Sequence, residues 1–313
     1  MTLAQRHGYV VILAFATFVQ FSAFTAAAQE AKPGWSIPSD VKSEQINGYR
    51  MAYKDEGRGT AIVFIHGANA DYRSYAAQIA ALASSYRVIA PSLRHYYPEQ
   101  WNGQGSDFSI EQHAADVVAL IRMLNLGKVH LVGWSRGGAV AIEIAKAHPD
   151  LVRTLVMEDG VILMPVEETP ESRNAAAFRA NTSKVIDEHL QAGDPNKAAE
   201  VLVDALGGPG AWQKLPEPRK QVVLDNIYTA LGDNKRIRPP TTCDQLKKFD
   251  FPVLLMTAEK SPKSYALYYG EMKKCAAFPD PIVIPGAAHN IHGGNVDAYN
   301  NALTTFFERA GAK

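Results

Sequence analysis

Gly133-Trp134-Ser135-Arg136-Gly137 sets a serine between two glycines, and a serine so placed suits nucleophilic attack on a carbonyl carbon. The pentapeptide follows an apolar run, Val129-His130-Leu131-Val132, and opens an alanine-rich run from Gly138 to Ala147. Strand, G-x-S-x-G, helix is the context in which the serine occupies a tight turn with its hydroxyl clear of the sheet. The turn demands strained backbone angles, and a side chain at either flank would collide with neighbouring chain. The helix start beyond it offers backbone N–H groups and a positive dipole end, both favourable to developing negative charge. A serine hydroxyl is a poor nucleophile at neutral pH and needs a histidine to take its proton. The histidine needs a carboxylate to fix its tautomer and stabilise its charged form.

The elements that must position such groups are legible as alternating apolar and amphipathic runs. Glu44 to Lys54 suggests a strand pair ended by Gly57-Arg58-Gly59, and Ala61–Ile65 reads as a strand buried on both faces. Tyr72 to Ser84 has helical spacing, Arg87–Ala90 is a short strand, and Pro91 to Asp107 is a long loop. Ser109 to Asn125 is an amphipathic helix with Ser109 as N-cap. After the serine turn and its helix comes a strand at Thr154–Met157, ending at Glu158-Asp159-Gly160. Residues 161–245 are polar, alanine-rich and helical, with no strand; strand character resumes at 252–257 and again at 281–284, and Asp297 to Arg309 is a closing helix. Strands and helices in alternation argue for a parallel sheet covered on both faces. Functional groups in such sheets gather beyond the carboxyl ends of the strands. Four ends carry suitable groups: His66-Gly67-Ala68-Asn69, Ser135, Glu158-Asp159 and His289.

On these residues the chain resembles the α/β-hydrolase family over 44–311, through G-x-S-x-G after its strand, the His66-Gly67 loop and Pro285-Gly286-Ala287-Ala288-His289. The resemblance implies an α/β-hydrolase fold, a mostly parallel sheet with helices on both faces and a helical cap inserted after the sixth strand. The core is then 29–160 with 246–313, and the cap 161–245. It implies Ser135 as nucleophile, His289 as base, and an oxyanion hole from the backbone N–H groups of Ala68 and Arg136. Many members carry the acid as an Asp shortly after the strand read here as 252–257. This chain has Ala258-Glu259-Lys260-Ser261 there, with serine in the expected place. Other members take the acid from the end of the strand after the nucleophile helix, the position of Asp159. Asp159 is the expected acid, with Glu158 and Glu259 as alternatives. Glu158 and Asp159 are neighbours on a strand end, so their side chains should diverge and one alone can reach the histidine.

Asn69, Trp134 and His292 are expected to bind substrate, with Met164, Phe178, Trp212, Leu215, Tyr228 and Leu231 as candidate cap walls. Helical spacing equally fits these six to the cap's own core. His66 is expected to hold the oxyanion loop rather than move protons. Arg136 reads either as a substrate clamp or as an outward charge on the first helical turn. His95, Tyr96, Tyr97 and Trp101, in the long loop, either line a pocket or pack on the surface. His289 and His292 lie three apart, but no H-E-x-x-H helix or cysteine cluster accompanies them, so no metal and no cofactor are implied.

Serine also limits the reaction. Relatives that open epoxides or displace halide use an aspartate, because the resulting ester can be hydrolysed whereas a serine ether cannot. The expected activity is cleavage of a carboxylic ester, small or medium and apolar, or of a lactone, through an acyl-enzyme. The alternatives are a perhydrolase or C–C hydrolase with the same triad, or a non-catalytic binding protein of the same fold.

The chain has 313 residues, no net charge and 47% hydrophobic content, ample for a large core and without the charge bias of a nucleic-acid or anionic-membrane binder. Arg6 and His7 precede an apolar segment, Gly8 to Phe24, and Ala26-Ala27-Ala28 follows. That pattern reads as a signal peptide over 1–28, hence an exported, periplasmic or secreted protein with no membrane attachment after cleavage; a retained anchor is the other reading. The two cysteines, Cys243 and Cys275, permit one disulfide in an oxidising compartment or stand as two thiols.

Overall fold

The computed structural model describes residues 36–233 and 240–311; the expected signal peptide lies outside them. Eight strands form one sheet: β1 (Lys42–Ile46), β2 (Tyr49–Gly57), β3 (Ala61–Ile65), β4 (Arg87–Pro91), β5 (Val129–Trp134), β6 (Val152–Glu158), β7 (Val253–Ala258) and β8 (Ile282–Ile284). Their order across the sheet is β1-β2-β4-β3-β5-β6-β7-β8. β2 pairs antiparallel with β1 and β4, and every pair from β4 to β8 is parallel. The expected strands 129–132 and 154–157 extend to Trp134 and Glu158. Sheet pairing continues further than the apolar run because the carboxyl ends are themselves buried.

Alternate side chains of the parallel strands enter different cores, as the two-residue period requires. Val63, Ile65, Leu131, Leu155, Met157 and Leu255 pack with the helices Ile110–Met123 and Arg136–Ala147. Ile62, Phe64, Val132, Val156, Leu254 and Met256 pack on the opposite face with Tyr75, Ile79, Leu303 and Phe307. Burial on both faces explains why these strands read as unbroken apolar runs. Ser109 caps its helix as expected, accepting a hydrogen bond from the Gln112 N–H at 3.0 Å. The segment Tyr72–Tyr75 winds as a 3₁₀ turn before the helix Ala76–Leu82, with the Asp71 carboxylate taking the Arg73 N–H.

Between β6 and β7 the described residues form helices and no strand. The long helix Pro170–Gln191 starts with a capping box at Thr169 and Ser172 and a proline in its first turn. It packs with Pro195–Gly207 and Glu217–Asn226 around Ile186, Leu190, Ala198, Ala199, Val223 and Ile227, a small core separate from the sheet. This helical layer docks by polar contacts as well. Asn226 donates to Asp71 and accepts from the Tyr97 N–H, both at 2.7 Å, and Arg73 bridges Asp225 at 2.8 Å. Cys243 and Cys275 are disulfide-bonded across 4.7 Å between Cα atoms. The bond ties the short helix Cys243–Leu246 to the end of the helix Ser264–Cys275.

Candidate active site

Strand register assembles the site. Trp134 pairs with Glu158 and Glu158 with Met256, so the next residue of each strand, Ser135, Asp159 and Thr257, stands at one carboxyl edge. Ser135 has φ +51° and ψ −119°, a strained conformation for a residue with a side chain. Three backbone bonds hold it there: its N–H donates to Glu158, and its carbonyl accepts from Gly138 and Val161. The flanking glycines are a steric necessity. A Cβ on Gly133 would lie 2.6 Å from the Gly137 carbonyl oxygen, and one on Gly137 only 2.1 Å from that of Ile65. The turn thus packs backbone against backbone beneath the serine.

His289, in the loop after β8, closes the arrangement. Its Nε2 is 3.0 Å from Ser135 Oγ and its Nδ1 is 3.0 Å from Asp159 Oδ2. Asp159 is wholly buried and sits at φ +40°, just beyond the strand end. Its carboxylate accepts from Thr257 Oγ1 at 2.7 Å and from Ser261 Oγ at 2.5 Å, in addition to His289. Two hydroxyls and an imidazole N–H are directed at this carboxylate, which serves all three as acceptor. The tautomer follows: Nδ1 carries the proton toward Asp159, and Nε2 is free to accept from Ser135. Trp134 Nε1–H fixes the loop by donating to the His289 carbonyl at 2.8 Å.

The structure separates the alternative acids. Glu158 shares a side of the sheet with Val156 and turns under it, away from Asp159. Its Oε1 takes the His292 Nδ1–H at 2.5 Å and its Oε2 the Tyr299 hydroxyl at 2.9 Å. Glu259 is exposed and accepts the Gly286 N–H at 2.7 Å, a turn contact in the loop before His289. Ser261, in the slot where an acid was expected, instead donates to Asp159.

Around the serine opens a cavity of about 660 Å³ lined by Ser135, Ala68, Arg136 and Tyr265, with Val161, Leu163, Phe178, Ile186, Leu202 and Leu206 as apolar wall. Glu171, Arg179 and Lys263 also border it and are exposed. Three expected substrate contacts lie outside this wall. Asn69 is buried at φ +55°, and neither it nor Trp134 nor His292 lines this cavity. Trp134 is spent on the His289 carbonyl, and His292 is fully buried between Glu158 and the rings of Trp134 and Tyr75. Of the six candidate cap walls, Phe178 lines the cavity. Met164 packs on the sheet core, Trp212, Tyr228 and Leu231 pack on the cap core, and Leu215 is half-buried away from the cavity.

Arg136 is no outward charge. It is buried, with Nη1 2.8 Å from His113 Nδ1 and its guanidinium 4.6 Å above the Phe108 ring. Burial, followed by the nearby Arg136 cation, pushes the His113 pKa well down, so a neutral His113 accepts from Arg136 while its Nε2–H donates to the Arg94 carbonyl. His66 behaves as a brace. Burial lowers its pKa to about 4; Nδ1–H donates to the Gly67 carbonyl at 2.8 Å and Nε2 accepts the Leu93 N–H at 3.0 Å. His95, Tyr96 and Trp101 pack within the loop: His95 lies between Glu99 and Asp107 and stacks on Trp101, while Tyr96 is wholly buried against His66. Tyr97 lies under the Arg73 guanidinium.

Sequence reasoning passed over Thr257, Ser261 as a donor, and Tyr265. The one signal was the serine at the expected acid position, which marks a side chain directed at the site whatever its chemistry.

The family model for the alpha/beta hydrolase fold matches residues 60–295. An (E)-2-((N-methylformamido)methylene)succinate hydrolase of Acinetobacter baylyi is 24% identical over 276 residues, covering 85% of this chain and 98% of its own. A soluble epoxide hydrolase of a Corynebacterium species is 37% identical over 114 residues, 36% of this chain and 39% of its own. Among solved structures, a thermophilic esterase from Thermogutta terrifontis aligns with a TM-score of 0.67 at 24% identity, covering 86% of this chain and 98% of its own. The sheet order, the serine turn and a family match across most of the sequence lead to one conclusion: this chain is a member of the α/β-hydrolase family.

Proposed function

We propose that this hydrolase cleaves a small carboxylic ester or lactone, with Ser135 as nucleophile, His289 as general base and Asp159 as the acid that orients it. The observation that carries the reading is the unbroken hydrogen-bond chain from Asp159 through His289 to Ser135, opening onto a mostly apolar cavity. Ser135 attacks the carbonyl carbon as Nε2 takes its proton, and the charge that develops on the substrate oxygen faces the N–H groups of Arg136 and Ala68. Each such donor is worth roughly 3 kcal/mol of barrier. The imidazolium then protonates the leaving oxygen, and a water activated by the same histidine releases the acid. Opening an epoxide, as the Corynebacterium relative's name describes, needs a nucleophile whose adduct water can hydrolyse, and Ser135 does not provide one. The apolar wall favours a small or medium acyl or alcohol group. Export fits the Cys243–Cys275 disulfide, since such bonds persist in oxidising compartments.

A fluorophosphonate probe tests the reading. It should label the folded protein and leave Ser135→Ala unlabelled. Folded wild-type protein that takes no label would favour a non-catalytic member of the family. Product analysis on an ester, lactone and C–C substrate panel then separates ester cleavage from C–C cleavage by the same three groups.

A further inference from the structure

Tyr265 is a side chain that the mechanism above does not use, yet it stands against the reacting atoms. It lies in the first turn of the helix Ser264–Cys275, is 6% exposed, and faces the cavity beside Ser135. Its ring stacks on the His289 imidazole with centroids 4.8 Å apart and planes 15° from parallel. Its hydroxyl oxygen is 3.3 Å from His289 Nε2, the same nitrogen that stands 3.0 Å from Ser135 Oγ. With Nδ1 protonated toward Asp159, Nε2 has one lone pair, and Ser135 at 3.0 Å takes it. The phenol proton is therefore left to point at reacting oxygens rather than at the ring.

We propose that Tyr265 is a further catalytic residue whose hydroxyl donates a hydrogen bond to the departing oxygen of the substrate. The assignment rests on the serine-hydrolase reading. After Nε2 has accepted the Ser135 proton, it must deliver that proton to the leaving oxygen, which then sits within hydrogen-bond reach of Nε2. The Tyr265 oxygen, close to the same nitrogen, reaches the same atom. As the C–O bond breaks, its electron pair stays on the leaving oxygen; the proton comes from Nε2, and Tyr265 keeps its own. Burial moves the phenol's pKa upward from its ordinary value, so it remains a donor throughout the neutral range. A carbon leaving group would profit little from such a donor, whereas an alkoxide would profit most.

Tyr265→Phe tests this, because the ring stack on His289 survives and only the hydroxyl is lost. Two esters of one acid are compared, an ethyl ester and a p-nitrophenyl ester. A poor leaving group needs the donor and a good one hardly does. For the ethyl ester kcat/KM should fall about 10–30-fold, the range set by one lost transition-state hydrogen bond. For the p-nitrophenyl ester the fall should stay under about 3-fold, and the rate of fluorophosphonate labelling, which expels no alkoxide, should hold within the same margin. Equal losses on both esters would make Tyr265 a positioning residue for His289 and overturn the assignment. Unchanged ethyl-ester turnover would overturn it too. If wild-type protein neither takes the label nor cleaves either ester, the underlying serine-hydrolase reading fails, and this one with it.

Discussion

Asp159→Asn removes a charge while keeping the shape, and its cost can be worked from the contacts. The carboxylate is wholly buried and accepts from Thr257, Ser261 and His289. An amide occupies the same space in two ways. With its oxygen in place of Oδ2, the Thr257 hydroxyl can turn to accept from the amide nitrogen, and His289 keeps its tautomer. Only the charge is lost. With charge centres about 4 Å apart and an effective dielectric near 20, the attraction between carboxylate and imidazolium is about 4 kcal/mol, or about a thousandfold in rate. With the amide nitrogen toward His289, the imidazole must move its proton to Nε2, and Ser135 loses its base; the loss then approaches about ten-thousandfold. Turnover of p-nitrophenyl acetate is therefore expected to fall by about 10³ to 10⁴ in kcat, with KM little altered. Glu259→Gln is the control. The Gly286 N–H can still donate to the amide oxygen, so activity should stay within about 2-fold. More than a tenth of wild-type kcat in Asp159→Asn, or abolition of turnover by Glu259→Gln, would refute the assignment of the acid.

Two predictions concern stability. His66 and His130 are both held at a pKa of about 4 by burial, against an ordinary 6.5. The unfolded chain therefore binds protons below pH 6.5 that the folded chain refuses, so stability is full above that pH and drains as pH falls toward 4. Each histidine removes about 2 kcal/mol by pH 5. Urea midpoints at pH 7.5 and 5.0 should show the fall, and His130→Gln should flatten it; an unchanged slope in that variant would contradict the argument. Reducing Cys243–Cys275, which closes 32 residues, should cost about 3–4 kcal/mol in the chain-entropy account and lower Tm by about 6–10 °C. Identical melting of the reduced and oxidised protein would show that the bond constrains nothing the fold does not already hold.

The residues legible before any coordinates were those whose role is local. G-x-S-x-G declares itself because the turn needs small flanks within two residues of the serine, and the parallel strands declare themselves because burial on both faces leaves no polar alternation. Ser109 as a helix cap is legible for the same reason. The cap's apolar residues were not, because a helix that faces its neighbours and a helix that faces a cavity carry the same periodicity. Trp212, Tyr228 and Leu231 went to the cap core and Phe178 to the cavity, with nothing in their spacing to tell them apart. Trp134 and His292, expected to touch substrate, are buried instead.

The sequence by itself determined the order of elements, the serine turn and the set of carboxylates that strand ends could present. Only the tertiary structure decided among those carboxylates. A strand end sends neighbouring side chains to different sides of the sheet, so Glu158 meets His292 and Tyr299 while Asp159 meets His289. Which side the histidine occupies depends on how a loop more than a hundred residues downstream folds back across β6 and β7. The same is true of Ser261 and Tyr265. Ser261 acquires Asp159 through β7 lying beside β6, and Tyr265 acquires His289 through β8 lying beside β7, relations set by packing and register rather than by separation along the chain.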